Sequence, residues 1–206
     1  MFKVEGICKK ISDYIAEELN FDDDKKSVIN YGIFAFVQMV ICIALVIIFG
    51  VIFNVTIEAL IISFTVSILR KSSGGVHASS PERCAVIGTV TSVGMALMAK
   101  NINYSFSFVI LFGIIVFVWS YYILYKLAPV DSIVKPIKNI KKRRRLRKSS
   151  IITLSVYLII VIINILSYLS INNFVLLTYS LCIYMGLLWQ VFSLTKSGHL
   201  ILGKLN

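Results

Sequence analysis

The chain has 206 residues, 58% of them hydrophobic, with a mean hydropathy of +0.86. It carries 21 Lys and Arg against 10 Asp and Glu, a formal net charge of +11. So much apolar material excludes a soluble globular domain and implies an integral membrane protein whose surplus cations belong to its water-facing segments.

Residues 1–27 mix charges of both signs with Ile7, Ile11, Tyr14, Ile15 and Leu19 at helical spacing. The pattern predicts an amphipathic helix, lying along the membrane surface or packed on the rest of the protein. No small-residue cleavage site precedes the first apolar run, so this segment is expected to be retained. Residues 28–206 then form the transmembrane unit.

Apolar runs follow at roughly 31–53, 55–69, 85–99, 102–125, 151–171 and 174–194. Four are long enough to cross a bilayer. The second and third hold about 15 residues each, which at about 1.5 Å rise per residue falls short of a roughly 30 Å hydrocarbon core. The expected fold is therefore an all-α polytopic helical bundle with four long transmembrane helices and two short ones, tilted or re-entrant, flanking the segment 70–84.

Twenty of the 21 basic residues fall in segments 1–27, 70–83, 126–148 and 196–204. With six crossings these lie on one side, which the positive-inside rule makes cytoplasmic, together with both termini. The parity is unchanged if the two short segments form a re-entrant pair. The densest tract, within the loop 126–150, contains Lys141, Lys142, Arg143, Arg144 and Arg145 and suits anionic lipid headgroups or an acidic peptide. Nucleic acid is not the expected partner, because no stacking aromatic residues accompany the cluster.

The four cysteines, at positions 8, 42, 84 and 182, show no paired spacing, so neither a disulfide framework nor a metal site is implied, and no cofactor is expected. Cys42 and Cys182 lie in apolar runs and read as packing residues. Cys84 closes the run RKSSGGVHASSPERC, which also contains His77, one of two histidines. Gly74 and Gly75 permit positive φ and close backbone approach. Ser80 and Pro81 read as an N-cap and first helical residue, placing Cys84 in the first turn of a helix. There the helix dipole, Arg83 and His77 would favour the thiolate. On one continuous helix His77 and Cys84 would be separated by about 10.5 Å along the axis. Proton transfer needs roughly 3 Å, so the Ser-Ser-Pro segment must turn the chain back. A thiol and an imidazole so arranged are the minimal apparatus for nucleophilic acyl transfer.

This run, with Arg70, a Gly-Gly-x-His core and a cysteine seven residues after the histidine, resembles the accessory gene regulator B (AgrB) family of membrane endopeptidases. Ala128-Pro129 with Asp131, Lys135-Pro136 and the basic tract resemble that family's central loop. Val76 stands where an aromatic residue is frequent, and the basic tract is unusually dense. The resemblance implies a cysteine peptidase of the bacterial cell membrane that removes the C-terminal tail of an AgrD-like precursor peptide at the cytoplasmic face. It assigns His77 as general base and Cys84 as nucleophile, with Arg70, Gly74, Gly75 and Arg83 in the active-site loop. A precursor thiol would then attack the acyl-enzyme and close a thiolactone, the cyclic quorum-sensing signal.

No third residue to orient His77 stands out. Glu58 sits about 18 Å along a helix from Arg70 and reads as an interfacial group partnered by water or Lys100. Gln38, Asn164 and Gln190 read as interhelical hydrogen-bonders and His199 as a solvated residue. Backbone amides beside Cys84 are the expected oxyanion donors. Polar mid-span residues favour a homodimer. A small transporter or peptide exporter and a non-enzymatic scaffold are the rival classes, although no internal repeat supports the former.

Overall fold

The structure is a computed structural model that describes residues 2–19, 21–75, 80–130 and 139–204. The expectations for Val76, His77, Asp131, Lys135 and Pro136 therefore fall outside the described residues. Eight helices are described: α1 (Phe2–Glu18), α2 (Asp23–Ile52), α3 (Thr56–Ser73), α4 (Pro81–Asn101), α5 (Phe106–Leu127), α6 (Ile140–Ile171), α7 (Val175–Phe192) and α8 (Lys196–Lys204).

Local sequence sets their starts. Asp22, Ser80, Ser105 and Asn139 each stand before a helix and accept a hydrogen bond from an amide of its first turn. Asp23 and Asp24 add negative charge where the α2 dipole is positive. Asn172 ends α6 in the left-handed region with φ 55°, a conformation asparagine tolerates.

The bundle is all-α and polytopic, with five helices, α2, α4, α5, α6 and α7, long and apolar enough to span a membrane. The two helices expected to be short are longer than their apolar runs. Residues 70–73 extend α3 to 18 residues, and residues 81–84 with 100–101 extend α4 to 21. At about 1.5 Å per residue, α3 reaches roughly 27 Å and α4 roughly 31 Å. The basic tract is helical from Ile140, because Lys and Arg are good helix formers and Asn139 caps the start.

The connections alternate between two ends of the bundle. At one end Lys100 pairs with Glu58 at 3.8 Å and donates to Asn54 O, while Tyr104 stacks on Phe174 with centroids 5.0 Å apart. At the other, Gly74 forms a parallel bridge with Val130, and Gln190 of α7 reaches Gly74 O. Both Cys84 and the basic tract belong to this second end.

α7 lies at the centre, packed on α3, α4, α5 and α6. In lipid, apolar burial does little to hold helices together, so close contact and satisfied polar groups must do it. A Cβ on Gly186 would lie 2.9 Å from Thr65 Cβ, so the glycine lets α3 and α7 approach closely. Thr65 Oγ1 in turn donates to Ile61 O at 2.7 Å.

α1 packs on α2 through Cys8, Ser12 and Ala16, all at most 5% exposed, and Lys26 pairs with Asp13 at 2.9 Å. Its larger apolar residues Ile7, Ile11 and Tyr14 stay exposed. Residues four apart thus dock the helix on α2, while the neighbouring apolar stripe stays exposed.

Candidate active site

Two loops and two helix ends meet around the start of α4. α3 ends at Gly74, whose amide donates to Arg70 O at 2.9 Å. Gly74 has φ 72° and ψ −148°, and Gly75 has φ 128°, conformations that only glycine adopts without strain. The loop after α5 is laid against this turn, with Val130 N donating to Ser73 O at 2.9 Å. A Cβ on Gly74 would sit 2.1 Å from Val130 O, and one on Gly75 2.7 Å from Ser193 Oγ. The glycine pair therefore serves both purposes read from its sequence.

Gln190 completes the turn. Its side chain is fully buried, and Nε2 donates to Ser73 Oγ at 2.9 Å and to Gly74 O at 2.8 Å. It is an interhelical hydrogen-bonder as expected, and its partners are in the 73–74 turn. Ser193 Oγ, one turn on, donates to Gln190 O at 2.7 Å.

α4 begins as the Ser80-Pro81 pair predicts. Ser80 Oγ accepts from Arg83 N at 3.2 Å, and Pro81 occupies the first turn. The half-buried Cys84 lies in that turn, its amide donating to Ser80 O at 3.1 Å. The amides of Arg83 and Cys84 are thus both engaged within the turn. α4 begins at Pro81 after an extended Ser80, so its helix does not continue back toward residue 77, which lies outside the described residues.

Arg70, in the last turn of α3, lies within electrostatic range of Cys84, and its buried Nε has no hydrogen-bond partner among the described residues. A buried donor without a partner is costly, so the Nε of this half-buried arginine is a group suited to an anion. Gln38 of α2 donates to Pro81 O at 2.8 Å and lies 3.8 Å from Cys42 Sγ. Cys42, on the next turn of α2, is half-buried and carries a free thiol. Cys182 is fully buried in α7 and does act as packing.

The basic tract divides between faces. Arg143 Nη2 donates to Pro129 O at 3.4 Å and Arg147 Nε to Ala128 O at 2.8 Å, bracing the loop that covers Gly74. Lys142 and Arg145 instead turn toward Lys71 of α3. Lys141 and Arg144 are exposed to solvent. Glu58 is held by Lys100 at the opposite end of the bundle from Cys84, and His199 is exposed. Among the described residues no cluster of His, Cys, Asp and Glu could hold a metal.

Sequence reading alone did not place Gln38, Ser73 or Ser193 at the candidate site. Their role depends on which helices neighbour α4, and nothing local encodes that. Gln38 and Gln190 did carry one signal, an amide within an apolar helix, which in lipid must find a partner.

The family model described as accessory gene regulator B, AgrB, matches residues 8–194. An AgrB-like protein of Clostridium perfringens strain SM101 (type A) is 39% identical over 202 residues, covering 97% of this chain and 94% of that protein. An AgrB-like protein 2 of Clostridium perfringens strain 13 (type A) shows the same identity and coverage. No solved structure matches.

Proposed function

Because the chain belongs to the AgrB family of quorum-sensing peptide processing, we propose that it is a membrane cysteine endopeptidase that cleaves the C-terminal tail from an AgrD-like precursor. One observation carries the reading: Cys84 is held in the capped first turn of α4, within electrostatic range of Arg70, whose buried Nε has no hydrogen-bond partner among the described residues.

In this mechanism His77 takes the proton from Cys84 Sγ, and the thiolate attacks the carbonyl of the scissile peptide bond. The positive N-terminus of α4 and the Arg70 guanidinium stabilise first the thiolate and then the tetrahedral oxyanion. Arg70 takes the oxyanion role because the amides at Arg83 and Cys84 are engaged. His77 returns the proton to the departing amine, the tail leaves, and the rest of the precursor remains as a thioester on Cys84. A precursor thiol then exchanges with that thioester, closing the thiolactone and restoring Cys84. Packing of α4 against α2 and α3 leaves Cys84 half-buried, and reduced access of water favours exchange over hydrolysis.

The polarity of the bundle fits this chemistry. The end that carries Cys84 also carries the loop 74–80, the basic start of α6 and the end of α7, so the positive-inside rule assigns it to the cytoplasm with both termini. Gly74, Gly75 and Arg83 shape the mouth of the site. The exposed Lys141 and Arg144 are placed to attract an acidic tail. Two copies would associate as a homodimer through polar mid-span residues.

Coexpression with a precursor peptide tests the reading. Cys84→Ala and His77→Ala should each abolish cleavage at unchanged membrane levels, whereas processing by either variant would sink it. A transporter would instead move the peptide uncut.

A further inference from the structure

At the cytoplasmic end of α3 and α6 lies a cavity of about 430 Å³ separate from the Cys84 site. Lys71, Lys142 and Arg145 bring three cations to it, Ser149 and Thr153 bring hydroxyls, and Ile68 with Leu146 form an apolar floor. The three cations have no carboxylate partner among the described residues. Three like charges around one small space repel each other, so the arrangement favours an anion between them.

Ile68 is also the first residue of a second space. From it an apolar groove of about 440 Å³ runs between α3, α6 and α7, walled by Ile57, Ile61, Phe64, Ile160 and Ile183. Eleven residues of helix from Ile68 to Ile57 cover about 16 Å, close to the depth of one leaflet of a roughly 30 Å hydrocarbon core. Polar groups within it are turned away: Thr65 Oγ1 donates to Ile61 O and Tyr157 OH to Phe64 O. Asn164 and Tyr179 lie at its far end. The groove is open to the side, with Phe64 and Ile68 47% and 50% exposed.

We propose that this composite of a tricationic cavity and a leaflet-deep apolar groove is a binding site for an anionic phospholipid, its phosphate among Lys71, Lys142 and Arg145 and an acyl chain along α3. Charge alone would suit an acidic peptide equally well. The groove decides between them, because a peptide laid along it would leave its own amides and carbonyls unpartnered against helices whose backbone bonds are already made. An acyl chain has no such groups. The site divides the basic tract by function: Arg143 and Arg147 brace the loop, while Lys142 and Arg145 bind lipid.

The test uses the full-length protein in neutral detergent micelles, titrated with dioleoyl phosphatidylglycerol and followed by native mass spectrometry and thermal unfolding. Saturable binding with a rise in Tm is expected, and neither dioleoyl phosphatidylcholine nor glycerol 3-phosphate should reproduce it. Lys142→Gln with Arg145→Gln should weaken binding about 25-fold, at about fivefold per cation. Ile61→Trp should weaken it with all cations intact by filling the groove. Lys9→Gln with Lys10→Gln, which removes equal charge from α1, should leave it unchanged. Equal binding of phosphatidylcholine would overturn the proposal, as would equal affinity for glycerol 3-phosphate. Displacement of the lipid by an acidic peptide would assign the cavity to the precursor and overturn it too. Because no substrate is present, failure here leaves the peptidase reading of Cys84 untouched.

Discussion

Replacing Gly74 with alanine perturbs the active-site loop at its tightest point. The backbone there has φ 72° and ψ −148°, a region in which a residue with a Cβ costs about 1–3 kcal/mol. The new methyl would lie 2.1 Å from Val130 O, and since that neighbour is backbone, the two loops must separate. Separation breaks the 2.9 Å bond from Val130 N to Ser73 O and disturbs the 2.8 Å bond from Gln190 to Gly74 O, at about 1 kcal/mol each. The expected loss is about 3–5 kcal/mol, roughly 10 °C in Tm for a chain of this size. Thermal unfolding in micelles and precursor cleavage in membranes should both show it, beside Gly88→Ala as reference. A Cβ on Gly88 meets nothing within 4 Å, so that variant should be neutral or more stable by about 0.5–1 kcal/mol. If Gly74→Ala melts and cleaves like Gly88→Ala, the bridge between the two loops does not shape the site.

Ser80→Ala removes the cap of α4 and should cost about 1 kcal/mol; cleavage should fall at constant protein level, and Ser80→Asp should restore it. Gln190→Leu keeps the volume but loses both donations to the 73–74 turn, worth about 1–2 kcal/mol together. Limited trypsin digestion should then cut faster at Lys71 and Arg83 than in the native protein. Lys100→Gln breaks the pair with Glu58, whose lysine side chain is 45% exposed. Such pairs contribute less than about 1 kcal/mol, so both Tm and cleavage should hardly change.

The reach of the sequence follows from the range of each interaction. Ser80-Pro81 encodes the start of α4 within three residues, so the position of Cys84 in its first turn was legible. The glycine pair was legible for the same reason, since positive φ is a property of the residue itself. Hydropathy underestimated the length of α4, and by less that of α3, because Arg70, Lys71, Glu82 and Arg83 count against an apolar run while continuing a helix; α3 still falls outside the five spanning helices. The basic tract was read as loop for a similar cause, although its charges suit a helix that projects into water. Gln190 stands 117 residues from the serine it holds, and Gln38 reaches Pro81 only because α2 packs on α4. Neither relation leaves a trace in local pattern. The Lys142 and Arg145 face became distinct from Arg143 and Arg147 only once α3 and the 128–130 loop were placed on opposite sides of α6.

A covalent intermediate on Cys84 is the direct consequence of nucleophilic catalysis. Intact-mass and peptide-mapping spectrometry of the protein, quenched in acid during turnover of a precursor, would detect it. Catalysis by Cys84 predicts an adduct equal in mass to the precursor less its released tail, mapped to the peptide containing Cys84 and absent from Cys84→Ala. Cys42→Ala should still form it. An adduct on Cys42, or continued cleavage by Cys84→Ala, would contradict the assignment of Cys84 as the nucleophile.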